Sequence, residues 1–292
     1  MANKKRVLLV KPPDRFLENE FVYPQLGPHY LQSYLSQHGI VSDILVLYVN
    51  QTKSCTLDSI SSPDMDLPDL RMLLLKQDGS HIETDFEHRI FGDYDVIGLS
   101  VMTPQAPDAY RLIRLVNKHY PHITTIIGGS HPRYYQKQVV GLPSDISFDF
   151  VVPQDGWVPM LEIATGKVTR KSSSIVLSST LPKLTDLPPP TRPIALMEKY
   201  DFNISGAPAY HTITALGCPF TCHFCESGIE KVRMFTQAMV EADLEEIAHA
   251  HNSLDHKTKG LMFFDDVGLM SPKQVDRLST IVNKHGFDTW RA

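Results

Sequence analysis

"YDVIGLSVMTPQAPDAYRLIRLVNKHYPHITTIIGG", residues 94–129, reads as a strand, a helix and a second strand. The runs YDVIGLSV (94–101) and ITTIIGG (123–129) are short and apolar, as strands buried on both faces are. Between them, over about 106–119, AYRLIRLV supplies a helix. A strand, a crossover helix and a strand imply parallel pairing, with the helix covering one face of the sheet.

The alternation extends to both sides. RVLLV (6–10) is a first strand, closed by Pro12 and Pro13. GPHYLQSYLSQHG (27–39) sets Tyr30, Leu31, Tyr34 and Leu35 at helical spacing and stops at Gly39, and DILVLYV (43–49) is a second strand. FDFVVP (148–153) is a fifth strand, followed by a short helix in VPMLEIATG. Residues 51–92 read as an irregular insertion around one short helix. The expectation for 1–165 is a Rossmann-like domain of five parallel strands with its ligand edge at their carboxyl ends. The loops at that edge, KPPDR, SVMTPQ, GGSHPRYY and PQDGW, are rich in Pro, Gly, Ser and Thr, so backbone can approach a ligand closely.

Residues 166–200 begin with the Ser- and Pro-rich KVTRKSSSIVLSSTLPKLTDLPPPTRP, which reads as a semi-extended linker. Beyond it, within 201–292, YHTITALG (210–217) is a strand, QAMVEADLEEIAHAH (237–251) a helix and GLMFFDD (260–266) a strand ending in two acids. SPKQVDRLSTIVNKHG (271–286) is a helix with Ser at the N-cap, Pro at N1 and Gly at its end. FDTWRA begins another strand, so this is a βα repeat cut early in its third unit, too short to close a barrel. The sequence therefore reads as a fragment of a longer chain.

The 292 residues are 42% hydrophobic and 21% charged, ordinary globular values, with a net charge of -5 and no basic block to suggest nucleic acid. No apolar run approaches the roughly 18 residues of a membrane span. VLLV is too short for a signal peptide, so the expected compartment is the reducing cytoplasm, where clustered cysteines more often bind metal than form disulfides.

Three of the four cysteines, Cys218, Cys222 and Cys225, fall in "GCPFTCHFC" (217–225); the fourth, Cys55, lies in the polar insertion and reads as a free thiol. Thiolates suit zinc or iron–sulfur clusters. Structural zinc takes four ligands, commonly in two separated pairs, whereas C-x3-C-x2-C is one group of three. A cubane held by three cysteines keeps one iron free for substrate. Phe220 and Phe224 flank the ligands and could exclude water. The competing reading is a zinc knob completed by His223 or His211.

C-x3-C-x2-C with an aromatic residue before the last cysteine resembles the radical S-adenosylmethionine (SAM) superfamily. LPKLTDLPPPTRP, a strand into GCPFTCHFC, and FFDD narrow the likeness to its cobalamin-binding branch. PQLGPHYLQSYLSQHG, DVIGLSVMT and IIGGSHP look like that branch's first helix, third strand and fourth strand, so the resemblance spans nearly the whole chain. It implies a Rossmann-like B12-binding domain followed by the first βα units of a partial radical SAM (βα)6 barrel.

The resemblance further implies that Cys218, Cys222 and Cys225 ligate a [4Fe-4S] cluster, with SAM on the fourth iron. Phe224, Asp265 and Asp266 would lie near SAM, and Ser100, Thr103, Gly128, Gly129 and His131 near cobalamin. The activity it implies is SAM cleavage to a 5′-deoxyadenosyl radical, most often for methylation of an unactivated carbon. A small-molecule or peptide substrate and an electron donor of the flavodoxin or ferredoxin type follow. The alternative is a B12-binding regulatory module with an incomplete, inactive radical domain, and beside it a zinc-stabilised α/β protein. Two departures stand out: no D-x-H-x-x-G is present, DFEHRIFG (85–92) having the wrong spacing, and Gln154 and Asp155 stand where relatives carry Gly-Glu-Gly-Glu. Local readings compete at several positions: helix N-capping for Ser100 and Thr103, a tight turn for Gly128–Gly129, a solvated loop or helix cap for Asp265–Asp266, and helix packing for Tyr134 and Tyr135.

Overall fold

The computed structural model describes residues 5–50, 67, 69–169, 183–223, 225, 231–269 and 271–292. Cys55 and Phe224 lie outside the described residues. The chain forms two compact units, one of Met1–Glu20 with Gln25–Leu181 and one of Phe21–Pro24 with Pro182–Ala292.

The first unit is built on β1 (Val7–Lys11), β2 (Ser42–Val49), β3 (Leu70–Leu75), β4 (His81–Asp85), β5 (Val96–Ser100), β6 (Thr124–Gly128) and β7 (Phe150–Val151). They form one sheet in the order β4-β3-β2-β1-β5-β6-β7. The pairs β1–β2, β1–β5, β5–β6 and β6–β7 are parallel. All five residues of β1 are buried, as expected of a strand covered on both faces. Helices α1 (Leu26–Gln37), α2 (Ala106–His119) and α5 (Trp157–Ala164) connect or close the parallel strands, with short helices α3 (Ser130–Tyr134) and α4 (Gln136–Val140) after β6. Leu8, Val10, Ile97, Leu99 and Ile127 pack in one core with Ala109, Leu112, Ile113 and Val116 of α2.

The five parallel strands stand where the alternation places them, but the sheet is larger than the five-stranded one expected. Residues 70–85, read as part of an irregular insertion around a helix, form the antiparallel hairpin β3–β4 beside β2. The misreading has a physical source: LRMLLL, apolar apart from Arg71, shows no clear alternation, and every residue of HIETD is exposed at the sheet edge. Because strand order reverses at β1, with β2 on one side and β5 on the other, the crevice outside the carboxyl ends of β1 and β5 is the switch point where such sheets bind ligands.

The second unit carries β8 (Asn203–Ile204), β9 (Ala207–Thr212), β12 (Gly260–Phe263) and β13 (Thr289–Arg291) in the order β13-β12-β9-β8. The pairs β9–β12 and β12–β13 are parallel and joined by α7 (Gln237–Ser253) and α8 (Pro272–Lys284), the expected βα repeat. Both helices start at a side-chain cap: Thr236 accepts from the Met239 N–H and Ser271 from the Gln274 N–H. A separate antiparallel ribbon, β10 (Ala215–Leu216) with β11 (Arg233–Met234), frames the cysteine loop. Residues 183–200, read as the end of a linker, carry α6 (Ile194–Met197) and bury Leu184, Leu187, Leu196 and Met197.

Candidate functional site

At the carboxyl edge of the first unit, the loops after β5 and β6 are bonded to each other. The Val101 N–H donates to the Gly128 carbonyl at 2.8 Å, and the His131 N–H to the Val101 carbonyl at 2.9 Å. Gly129 has φ +95°, and a Cβ there would lie 2.7 Å from both the nitrogen and the oxygen of Val101. Glycine is thus required where the two loops meet. Gly128 differs: a Cβ there would meet only the Val152 carbonyl at 3.7 Å.

Neither Ser100 nor Thr103 caps a helix. Met102 precedes the 3-10 turn Thr103–Gln105, and Gln105 precedes α2. The Ser100 hydroxyl lies 3.6 Å from the position a Cβ on Gly27 would occupy, so the first turn of α1 abuts the end of β5. His131 is buried; its Nε2 is 2.7 Å from the Tyr110 hydroxyl, its Nδ1 3.4 Å from Thr103 Oγ1, and its ring stacks on Tyr135. Burial lowers its pKa, favouring the neutral ring. Tyr134 and Tyr135 are partly exposed rather than packed in the core.

Sequence reasoning missed the charged network beneath this edge. Lys11, at the end of β1, places Nζ 3.0 Å from Glu20. The Glu20 carboxylate also accepts from the Asp14 N–H at 2.6 Å and the Val49 N–H at 2.7 Å, folding the β1–α1 loop back on itself. Arg15 bridges Asp69 and Asp108, the latter at 2.6 Å from Nε. Gln105 donates to the Pro12 carbonyl and accepts from the Met102 N–H, tying the β1 and β5 loops together. Only the basic–acidic run KPPDRFLENE hinted at this, and its partners at 69 and 108 are not readable from local sequence.

The edge suits cobalamin. It presents glycine backbone, the Ser100 and Thr103 hydroxyls, and two groups that want partners: among the described residues, buried Trp157 Nε1 and both polar atoms of the Gln25 amide make no hydrogen bond. Leaving such groups unpaired costs about 1–3 kcal/mol each, which a ligand rich in amides and phosphate can offset.

In the second unit, Cys218 is buried while Cys222 and Cys225 are exposed, and none is in a disulfide. The Cys225 N–H donates to the Cys222 carbonyl at 3.0 Å, closing a turn. Among the described residues no group of three or more His, Cys, Asp or Glu side chains is gathered as a metal site. The donor chemistry nevertheless fits an iron–sulfur cluster: three free thiols on one loop, two reaching solvent, from which iron and sulfide can be delivered. Phe220 is 55% exposed.

Asp265 and Asp266 both face the stem of this loop. Asp265 accepts from the Thr214 N–H at 2.6 Å, the Ala215 N–H at 3.1 Å and the Thr214 hydroxyl. Burial raises its pKa, opposed by those hydrogen bonds. Asp266 accepts from the Gly217 N–H at 3.1 Å. His211, the residue a zinc reading would recruit, is fully buried against Phe264, Phe202 and Tyr23, and neither ring nitrogen has a partner among the described residues.

Comparison with known proteins places the fold and the first unit. The chain is 22% identical over 220 residues to the uncharacterized methyltransferase PH0819 of Pyrococcus horikoshii, covering 68% of this chain and 46% of the relative. It is 26% identical over 149 residues to the anaerobic magnesium-protoporphyrin IX monomethyl ester cyclase of Rubrivivax gelatinosus, covering 45% of this chain and 26% of the relative. It thus spans less than half the length of each. The fold matches the apo cobalamin-dependent S-adenosylmethionine radical enzyme OxsB with a TM-score of 0.57 at 14% identity, over 96% of this chain and 36% of that one. No helix among the described residues is long and apolar enough to cross a membrane. Residues 16–163, just over half of the chain, match the B12 binding domain, and the protein belongs to that family.

Proposed function

We propose that the protein is the cobalamin-binding and cluster-binding part of a cobalamin-dependent radical SAM enzyme, with methyl transfer to an unactivated carbon as its reaction. The observation that carries the cobalamin half is the edge where Gly129 lets the loops after β5 and β6 close on each other, with the polar atoms of Trp157 and Gln25 buried and without a hydrogen bond among the described residues. The radical half rests on three free thiols at C-x3-C-x2-C spacing in the loop between β10 and β11.

Cys218, Cys222 and Cys225 would hold the cluster, and the chain's part is to place it and limit water around it. When bound, a [4Fe-4S] cluster supplies the electron that cleaves SAM, and cobalamin carries the methyl group. Ser100, Thr103, Gly128 and Gly129 would line cobalamin, with His131 behind them, held neutral by burial and occupied by Tyr110 and Thr103. An electron donor of the flavodoxin or ferredoxin type would reduce the cluster.

The test is anaerobic reconstitution with iron, sulfide and cobalamin, followed by SAM and a reductant. Cobalamin retention together with 5′-deoxyadenosine formation supports the proposal. Cobalamin retention with neither a cluster nor 5′-deoxyadenosine would leave a B12-binding module alone.

A further inference from the structure

We propose that Asp265 and Asp266 are positioning residues that clamp the stem of the cysteine loop and so fix where Cys218 begins; this rests on reading the loop as cluster-binding. The ribbon beneath the loop is only Ala215–Leu216 against Arg233–Met234. Two residue pairs are a short anchor for the loop that carries the cysteines, because every loop residue held in place loses conformational entropy. The missing restraint comes from the neighbouring parallel strand.

Phe263 pairs with Thr212, and the Phe264 N–H donates to the Thr212 carbonyl at 2.8 Å, so the next two residues of the β12 strand run out alongside Thr214–Gly217. Asp265 there takes three donors from Thr214 and Ala215, and Asp266 takes the N–H of Gly217. Gly217 has φ +89°, a left-handed turn that aims the chain into the loop. The residue that follows, Cys218, is the one buried cysteine of the three. These contacts give both carboxylates a task within the protein, beside the place near SAM that the resemblance implies for them. Ionised carboxylates accepting backbone N–H groups form stronger hydrogen bonds than neutral pairs, which suits them to holding a short stem.

The experiment compares wild type with Asp265→Ala, Asp265→Asn, Asp266→Ala and Thr214→Val, the last two being milder losses if the first does not fold. Alkylation of each cysteine in the cluster-free protein is followed by mass spectrometry, beside thermal unfolding and iron content after reconstitution. The expected result is faster Cys218 alkylation, by about tenfold or more in Asp265→Ala, with Cys222 and Cys225 nearly unchanged, an opening confined to the stem of the loop. Asparagine, which keeps an acceptor for the two N–H groups, should restore most of the protection. Equal rates in all variants, or a uniform rise at all three thiols with a lower unfolding temperature, would overturn the proposal. Selective Cys218 exposure in a protein that binds no iron even as wild type would leave the clamp standing and remove the cluster reading.

Discussion

Arg192 and Asp243 form a bidentate ion pair in the interior of the second unit, at 2.8 and 2.7 Å, with side chains 2% and 1% exposed. Thr212 of β9 adds a third bond to the same carboxylate at 2.6 Å. A residue of the Pro-rich stretch is thereby fixed to α7 and to the strand that leads toward the cysteine loop. Removing one partner leaves the other charge buried and alone. Asp243→Ala is expected to destabilise the second unit by about 3–5 kcal/mol. Replacing both partners with apolar residues of similar volume should recover most of that loss. Urea unfolding of the single and double variants checks it, and a single variant costing under about 1 kcal/mol would be inconsistent with the pair's burial.

Adjacent glycines at the B12 edge should respond differently. Gly129→Ala forces a Cβ into Val101 at a positive φ, so it should destabilise the first unit by more than about 1 kcal/mol and weaken cobalamin binding. Gly128→Ala meets only ordinary contact and should leave stability nearly unchanged. Thermal unfolding and cobalamin titration of the two variants make the comparison; equal losses would mean that the loop junction is not where the strain lies.

His211 is expected to make the second unit acid-sensitive. Burial first, and the nearby Arg192 charge second, push its pKa down to about 3, and burial similarly takes His251 to about 4. An unfolded histidine titrates near about 6.5, so acid protonates the unfolded chain before the folded one. The stability from keeping these rings neutral is complete above about pH 6.5 and is lost as pH falls toward the folded values, by about 1.4 kcal/mol per pH unit for each ring. His211→Phe keeps the aromatic stacking without the titrating group, so its unfolding temperature should fall less than wild type's between pH 7 and pH 5. Identical falls in both proteins would contradict this.

The parallel core of the first unit was legible because its strands are apolar on both faces and its helices repeat on one, as in YDVIGLSV and AYRLIRLV. The β3–β4 hairpin was not, since an apolar run with an exposed polar edge carries no clear period. The closeness of the loops at 100–103 and 128–131 followed from topology. The tasks of Asp265, Glu20 and Arg192 were hidden because each depends on a partner brought near only by the fold: Thr214 lies 51 residues from Asp265, Val49 lies 29 from Glu20, and Asp243 lies 51 from Arg192.

The most direct test of the central claim is electron paramagnetic resonance of the anaerobically reconstituted, reduced protein before and after SAM is added. Three cysteine ligands leave one iron able to take SAM, so the account predicts the signal of a reduced [4Fe-4S] cluster whose g values move when SAM binds, and no such signal from Cys222→Ala. A protein that takes up one zinc and shows no iron–sulfur signal, or a cluster signal indifferent to SAM and retained in Cys222→Ala, would contradict it.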